Sequence, residues 1–286
     1  MELDLPEHGK SSPLPPYRGV LAVDMENFSR TSARNQQVIG ALIPDVLEKA
    51  LTRSDLEQVW KEKRFARHGG DGYVFGTEPE YLPFLISPFL ENLQKELEEI
   101  QPILANLDRE LRMRLRVSVD VGPLPDLGDS NPVSAMGEAM ISTHRLLDSA
   151  PVRDELKRTD PDTTLVAVIV SRRVYEDVVL GGFTPVRPAR WRQVNATVGN
   201  KDFRAEGYLF VPTPSWSSKA QEIAEVQDET GSGSATPEDG SGDTSSVPIR
   251  ARAHTANSVG ANYRGQVVQG GTIHGGVNFG VTSDDR

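Results

Sequence analysis

The chain of 286 residues contains no cysteine. This absence excludes disulfide bonds, thiolate catalysis and zinc sites built from cysteine. The chain also has no long apolar run, because the longest one, Leu165–Val170, is far too short to cross a bilayer. The first seven residues are acidic and lack the apolar core of a signal peptide. We therefore predict a soluble, cytoplasmic protein with no membrane partner.

Positive charge is scarce as well. The chain has 41 acidic residues against 31 lysines and arginines, which gives a formal net charge of −10. The phosphate backbones of DNA and RNA repel such a chain, so we expect no nucleic-acid partner. The length suits one domain of moderate size with extensions.

An acidic residue flanked by glycines stands in the sequence Gly69-Gly70-Asp71-Gly72. Strand-like segments at Arg64–Arg67 and Gly72–Gly76 surround it. Because glycine tolerates positive φ, this pattern predicts a hairpin that presents Asp71 at its tip.

A second aspartate, Asp24, ends the apolar run Gly19–Val23, which is typical of a strand. Two aspartates at the ends of adjacent strands are ligands suited to a hard divalent cation, with substrate phosphates completing the coordination. The alternative is structural: a strand-end aspartate and a separate turn aspartate, with no metal between them.

The remaining pattern predicts alternating helices and strands. Two long amphipathic helices are expected at Ser32–Leu51, which contains Pro44, and at Pro88–Leu107. Strict alternation of apolar and polar residues predicts a half-buried strand at Leu111–Gly122. The further predicted elements are a helix at Gly137–Ser149, a strand at Thr163–Val170, a short helix at Arg172–Leu180 and strands at Phe183–Trp191 and Phe203–Pro212. Such alternation predicts a sheet covered by helices.

Composition divides the chain into four parts. Residues 1–16 are proline-rich and predict a flexible leader, and residues 17–212 contain the folded domain. Residues 213–250, rich in Gly, Ser and acidic residues, predict a disordered linker. Residues 251–286 form a tail rich in Gly, Asn and Gln. Its candidate assembly residues are Gln266, Val267, Val268, Gln269, Ile273, His274, Val277, Asn278 and Phe279.

Residues 17–212 resemble the class III nucleotidyl cyclase family in the order of their motifs. The family phrase F-x-D-x-x-x-F matches Val23–Ser29, its G-D hairpin matches Gly70-Asp71, and its strand l-R-v-g-v-h-x-G matches Leu115–Gly122. The helix phrase G-x-x-V-N-x-A-x-R-L matches Gly137–Leu146, and I-x-V-S-x-x-x-Y matches Ile169–Tyr175. Several phrases, such as Arg145-Leu146-Leu147-Asp148, are closer still to a cyclase-like group common in actinobacteria.

The resemblance implies an α+β, ferredoxin-like fold with helices against a mixed sheet. It further implies a homodimer that converts a nucleoside triphosphate into a cyclic nucleotide and pyrophosphate. Asp24, Asp71 and the backbone carbonyl of Met25 would hold two Mg²⁺ or Mn²⁺ ions, and Arg145 from a partner subunit would stabilise the charge on the α-phosphate. Lys201 is the candidate for the family's triphosphate lysine. The residues implied in nucleotide binding are Glu26, Asn27, Phe28, Ser29, Arg67, Ser134 and Ile141.

Three of these positions depart from the family pattern. Ile141 stands where the family has asparagine, and a branched aliphatic side chain cannot donate the same hydrogen bond. Arg67 and Ser134 stand at the positions that select the base, and they fit neither the adenine pair (lysine, aspartate) nor the guanine pair (glutamate, cysteine). The base is therefore left open, with a pyrimidine among the choices.

Two other functions compete with an active cyclase. A catalytically silent cyclase fold would sense a nucleotide or bind a partner. A diguanylate cyclase would also carry Gly69-Gly70-Asp71, but Gly72 and Tyr73 replace the acid and phenylalanine expected next.

The tail also has two interpretations. It is either a terminus without a role or an assembly motif, since it resembles the amyloid-like signalling motifs of actinobacterial immune and effector proteins. The second interpretation implies a sensor or effector partner for the tail.

Overall fold

The computed structural model describes residues 9–109, 111–128, 134–198 and 201–216. These residues all belong to the first of two units, Met1–Gly233. The predicted tail, the predicted linker beyond Trp216 and the leader before Gly9 lie outside the described residues.

The described residues contain seven strands and seven α-helices. The strands are β1 (Tyr17–Met25), β2 (Arg64–His68), β3 (Gly72–Thr77), β4 (Leu115–Pro123), β5 (Val166–Ser171), β6 (Arg192–Val198) and β7 (Lys201–Phe210). The helices are α1 (Ala33–Arg53), α2 (Glu57–Lys61), α3 (Leu82–Ile86), α4 (Phe89–Leu107), α5 (Glu138–Leu147), α6 (Ala150–Arg158) and α7 (Arg172–Val174). A π-helical segment, Tyr175–Leu180, follows α7 directly.

All seven strands form one sheet in the order β2-β3-β1-β4-β5-β7-β6. The β4–β5 pair is parallel and the other pairs are antiparallel, so the sheet is mixed. The predicted α+β class, with helices against a mixed sheet, is confirmed.

Alternate residues of β1 face two separate cores. Leu21, Val23 and Met25 belong to the main core, which also contains the buried residues of α1 and α4. Val20 and Ala22 pack on the opposite face, in a smaller core with Ala139 of α5. Since side chains alternate along a strand, Asp24 lies on the α5 face of the sheet.

The two long helices and the hairpin are confirmed within two residues at most ends. Helix α1 continues through Pro44 as one helix. Helices α2, α3 and α6 are five to nine residues long and were not predicted, because segments of that length carry little periodicity.

One strand prediction is wrong, and another strand begins four residues later than predicted. The residues predicted as a strand at Phe183–Trp191 contain a 3₁₀ turn, Pro188–Arg190, and β6 begins only at Arg192. Pro185 and Pro188 lack the N–H groups that a strand would donate. The strand predicted from Leu111 begins at Leu115, because the side chain of Gln101 bonds the backbone N–H and C=O of Met113 in place of a neighbouring strand.

No helix among the described residues is long and apolar enough to span a bilayer.

Candidate functional site

Asp24 lies near the end of β1, opposite Gly72 of β3 on one side and Arg116 of β4 on the other. Its carboxylate is one-fifth exposed, and Oδ2 accepts a hydrogen bond from Arg116 Nη2 at 2.7 Å. The aspartate is therefore held by β4 on the face of the sheet that α5 covers.

The hairpin between β2 and β3 brings Asp71 to the same end of the sheet. The Met25 N–H donates to the Asp71 carbonyl at 2.9 Å, and the Gly69 N–H donates to the Gly72 carbonyl at 2.9 Å. Gly72 is required here, because a Cβ at that position would lie 2.4 Å from the Val23 carbonyl oxygen. The structure thus places the two predicted metal aspartates on neighbouring chain segments.

Arg116 is a charged neighbour of Asp24 whose side chain is only 12% exposed. Its Nε is buried and makes no hydrogen bond within the described part of the chain. Burial raises the pKa of the Asp24 carboxyl, the Arg116 guanidinium opposes that shift, and the Asp71 and Asp148 carboxylates add to it. The charges of Arg116, Asp71 and Asp148 therefore all act on the Asp24 carboxylate.

Arg67 reaches this face because β2 contains a bulge. Arg64 pairs with Gly76 and Arg67 with Val74, so three steps along β2 match two along β3. Since Val74 packs in the core under α5, its neighbour Arg67 lies on the α5 face as well. His144 of α5 is close by: burial lowers its pKa, and the nearby charges of Asp148 and Arg67 act in opposite directions.

The turn predicted to bind phosphate follows β1. Glu26 has a structural role, because both its side chain and its backbone bond Arg114. Its Oε2 accepts from Arg114 Nη1 at 2.7 Å, and its N–H donates to the Arg114 carbonyl at 2.9 Å. Asn27 has a φ of 58° and precedes the 3₁₀ turn Phe28–Arg30. The N–H groups of Asn27, Phe28 and Ser29 donate to no acceptor in the described residues, so they are available to an anion.

A cavity of about 710 Å³ lies behind this turn. Met25, Glu26 and Asn27 line it, together with the basic residues Arg30, Arg112 and Lys157. Neither Asp24 nor Asp71 contributes to its wall, so the cavity does not join the two aspartates to the turn.

The two positions predicted to select the base differ in accessibility. Arg67 is exposed, whereas Ser134 is buried, 3% exposed, and its hydroxyl closes a loop. Ser134 Oγ donates to the Gly128 carbonyl at 2.7 Å and accepts from the Leu127 N–H at 3.1 Å. Ile141, the departure from the family asparagine, is 45% exposed on α5.

Arg145 lies against the β7 side of the sheet. Its guanidinium carbon lies 5.3 Å from the ring centroid of Phe203 on β7. Because β7 is three strands from β1, the separation across the sheet is roughly 14 Å. Lys201 is the first residue of β7, in register with Val198.

The two aspartates supply some, but not all, of the ligands that a hard divalent cation needs. Among the described residues, no group of three or more His, Asp or Glu side chains is arranged to hold a metal ion. Mg²⁺ is commonly held by one or two carboxylates with substrate phosphates and water in the other positions, which is the chemistry that Asp24 and Asp71 offer.

The contact of Arg116 with Asp24 was not predicted from the sequence. A signal was available, since Arg116, Ser118 and Asp120 alternate with apolar residues and therefore share one face of β4. Pairing of β4 with β1 then decides that Arg116 meets Asp24. Asp148 carried no such signal, because its approach to Asp24 depends on how α5 packs on the sheet.

No protein-family model matches the chain, and no curated protein matches its sequence. The structure is similar to the guanylyl cyclase Cya2, at 13% identity and a TM-score of 0.43, over 71% of this chain and 93% of that one. It is similar to the guanylate cyclase domain of RhGC from Catenaria anguillulae in complex with GTP, at 14% identity, a TM-score of 0.42 and coverage of 71% and 100%. The adenylyl cyclase CyaB from P. aeruginosa matches at 12% identity, a TM-score of 0.43 and coverage of 68% and 93%.

Proposed function

We propose that this protein is a metal-dependent nucleotidyl cyclase that acts as a homodimer and makes a cyclic nucleotide from a nucleoside triphosphate. One observation carries the proposal: Asp24 and Asp71 occur in the motif order of class III cyclases and lie on neighbouring segments at one end of the sheet. An arginine, Arg116, adjoins the pair.

In this proposal Asp24, Asp71 and the Met25 carbonyl hold Mg²⁺ or Mn²⁺. Such ions, when bound there, would lower the pKa of the attacking hydroxyl and would neutralise charge on the triphosphate. Arg116 engages Asp24 Oδ2, and no hydrogen bond to Oδ1 occurs within the described ranges, so Oδ1 can serve this purpose.

The reaction is attack by the 3′-hydroxyl oxygen on the α-phosphorus, with pyrophosphate as the leaving group. The N–H groups of Asn27, Phe28 and Ser29 bind phosphate oxygens, and the guanidinium of Arg116 neutralises charge beside Asp24. Arg145 of a second subunit stabilises the charge that grows on the α-phosphate. Arg67, on the α5 face, contacts the base.

A silent cyclase fold that binds a nucleotide or a partner is the second candidate. The observation that favours it is Ile141, which is 45% exposed and cannot donate the hydrogen bond of the family asparagine. Loss of one such contact to a transition state costs about tenfold to a thousandfold in rate.

In this proposal the tail mediates assembly of the protein. Its residues Gln266–Gln269 and Ile273–Phe279 combine low charge with β-branched side chains and contain no proline, a composition typical of segments that stack in register. Assembly through the tail would raise the local concentration of the catalytic domains and favour dimers. A sensor or effector protein with a matching motif is the expected partner.

The test is mass spectrometry of products from the full-length protein supplied with ATP, GTP, CTP and UTP and Mn²⁺. We expect one cyclic nucleotide, lost in Asp24→Ala and Asp71→Ala and retained in Asp45→Ala, which removes an exposed aspartate from α1. A chain ending at Trp216 should be slower at equal concentration. Absence of any cyclic product from the full-length protein would favour the silent fold.

A further inference from the structure

The turn that follows Asp24 and the hairpin that carries Asp71 both rest on helix α1. Gln36, in the first turns of this helix, donates from Nε2 to the Phe28 carbonyl at 3.3 Å and to the Thr31 carbonyl at 3.1 Å. These two bonds fix the turn after β1 to the helix.

Gly40 lies one helical turn further along and meets the hairpin. It is buried, and a Cβ at this position would lie 2.9 Å from the Gly70 carbonyl oxygen. Glycine in a helix interior is unfavourable relative to alanine, so this glycine is explained by the close approach of the hairpin backbone. The neighbour is a backbone atom and cannot rotate away as the end of a side chain would.

Gln36 and Gly40 are four residues apart and therefore share one face of α1. Gln36 holds the segment after Asp24, and Gly40 abuts the residue before Asp71. On the opposite side, the hydrogen bond from the Met25 N–H to the Asp71 carbonyl ties the hairpin to β1. The hairpin is thus enclosed between β1 and one face of α1.

We propose that the Gln36 and Gly40 face of α1 sets the spacing between Asp24 and Asp71, so that both residues act as positioning residues for metal binding. This inference rests on the proposed function, since it concerns the same two aspartates. Neither residue touches the metal or the nucleotide; each acts through the backbone segment that it contacts.

The size of the expected displacement supports a measurable effect. A Cβ at residue 40 needs 3.4 Å or more from the Gly70 oxygen for an ordinary contact, against the 2.9 Å available. The hairpin must therefore move by about 0.5 Å, which is the tolerance of a preorganised site. Loss of outer-shell support around a metal costs about 10-fold to 100-fold in affinity.

The experiment is a titration of the full-length protein with Mn²⁺, followed by electron paramagnetic resonance of the free ion. The variants are Gly40→Ala, Gln36→Ala and, as a matched control, Gln37→Ala, which changes an exposed neighbour on the same helix. We expect Mn²⁺ to bind about 10-fold to 100-fold more weakly to the first two variants. The Mn²⁺ affinity of the control should equal that of the wild type.

Turnover gives a readout that a purely structural role would not move. In Gly40→Ala the Mn²⁺ concentration for half-maximal rate should rise, while the rate at saturating Mn²⁺ stays near that of the wild type. Circular dichroism should show the helix retained, because alanine is the better helix former. If Gly40→Ala fails to fold, Gln36→Ala decides the question by the same titration.

Wild-type Mn²⁺ affinity in both Gly40→Ala and Gln36→Ala would overturn the inference and leave the proposed function intact. A wild-type protein that neither binds Mn²⁺ nor forms a cyclic nucleotide would instead refute the proposed function, and the inference with it.

Discussion

Two opposing effects act on the pKa of the Asp24 carboxyl. Burial favours its neutral form, whereas the ion pair with Arg116 favours the carboxylate. A bound divalent cation would act in the same direction as Arg116 and would also favour the carboxylate form of Asp24.

Asp120 provides a prediction on pH. It is 6% exposed on β4, and burial raises its pKa, while hydrogen bonds from the hydroxyls of Ser171 and Ser142 oppose the shift. Because the pKa of Asp120 is higher in the folded than in the unfolded protein, ionisation of this group lowers the free energy of unfolding. The loss is absent below the unfolded pKa, grows as pH rises toward the folded pKa and is complete above it.

Asp120→Asn removes this titration. The free energy of unfolding of the variant, minus that of the wild type, should therefore increase as pH rises from about 4 toward neutrality. Urea denaturation at a series of pH values measures it, and a difference that stays constant across the series would contradict the prediction.

Ile141 provides a prediction on activity. Ile141→Asn introduces the residue that class III cyclases carry at the matching position and supplies a hydrogen-bond donor at an exposed position of α5, so the fold should be unaffected. We expect the turnover rate to rise by about tenfold or more. Ile141→Leu is the control and should change nothing. Equal rates for Asn and Leu would mean that another group already supplies the contact.

At the scale of elements, the bulge in β2 decides what the hairpin presents. Phe65 has a φ of 54° and packs against Gly76, where a Cβ would lie 2.6 Å from its ring. The extra residue reverses the alternation of β2 and so turns Arg67 toward α5. A phenylalanine at positive φ is costly, and its burial in the core under α5 offsets that cost.

Gly76→Ala tests this packing. The added methyl group must displace the ring of Phe65, which we expect to cost about 1–3 kcal/mol in the free energy of unfolding. In a Phe65→Ala background the same change should cost much less, because residues in direct contact are not additive. Chemical denaturation of the four proteins measures both costs, and equal costs in the two backgrounds would exclude the contact.

The elements with strong periodicity could be predicted from the sequence. The apolar stripes of α1 and α4 and the alternation of β4 depend only on which residues face the core. The glycines around Asp71 were enough to predict the hairpin. The bulge at Phe65 could not be predicted, because nothing local distinguishes it from a regular strand. Arg114, expected within a strand, turns inward to bond Glu26 and the Thr164 carbonyl, contacts that only the tertiary fold creates.

The candidate site divides in the same way. Asp24 stands out at the end of an apolar strand and Asp71 at the tip of a glycine-flanked hairpin, so the sequence alone could propose them. The approach of Arg116 to Asp24 depends on strand pairing and could not be predicted. The hydrogen bonds of the Ser134 hydroxyl depend on a fold that brings Leu127 and Gly128 beside it.

At the scale of the whole molecule, one chain does not assemble the proposed site. Arg145 stacks on Phe203 of β7, three strands from the β1 strand that carries Asp24. In the proposed mechanism a second copy of the chain therefore supplies the Arg145 that acts on the nucleotide held by Asp24 and Asp71. A twofold dimer would then contain two equivalent sites, each with aspartates from one subunit and arginine from the other.

Mixing two inactive variants tests this arrangement. Asp71→Ala and Arg145→Ala should each lose about a hundredfold or more of the rate on their own. In a heterodimer one site carries both changes and the other carries neither, so random mixing of equal amounts should restore about a quarter of the wild-type activity. Mass spectrometry of the cyclic product measures the recovery, with each variant alone at the same total concentration as the control. A mixture no more active than its components would show that the site is not shared between subunits, since subunit exchange alone creates the intact site.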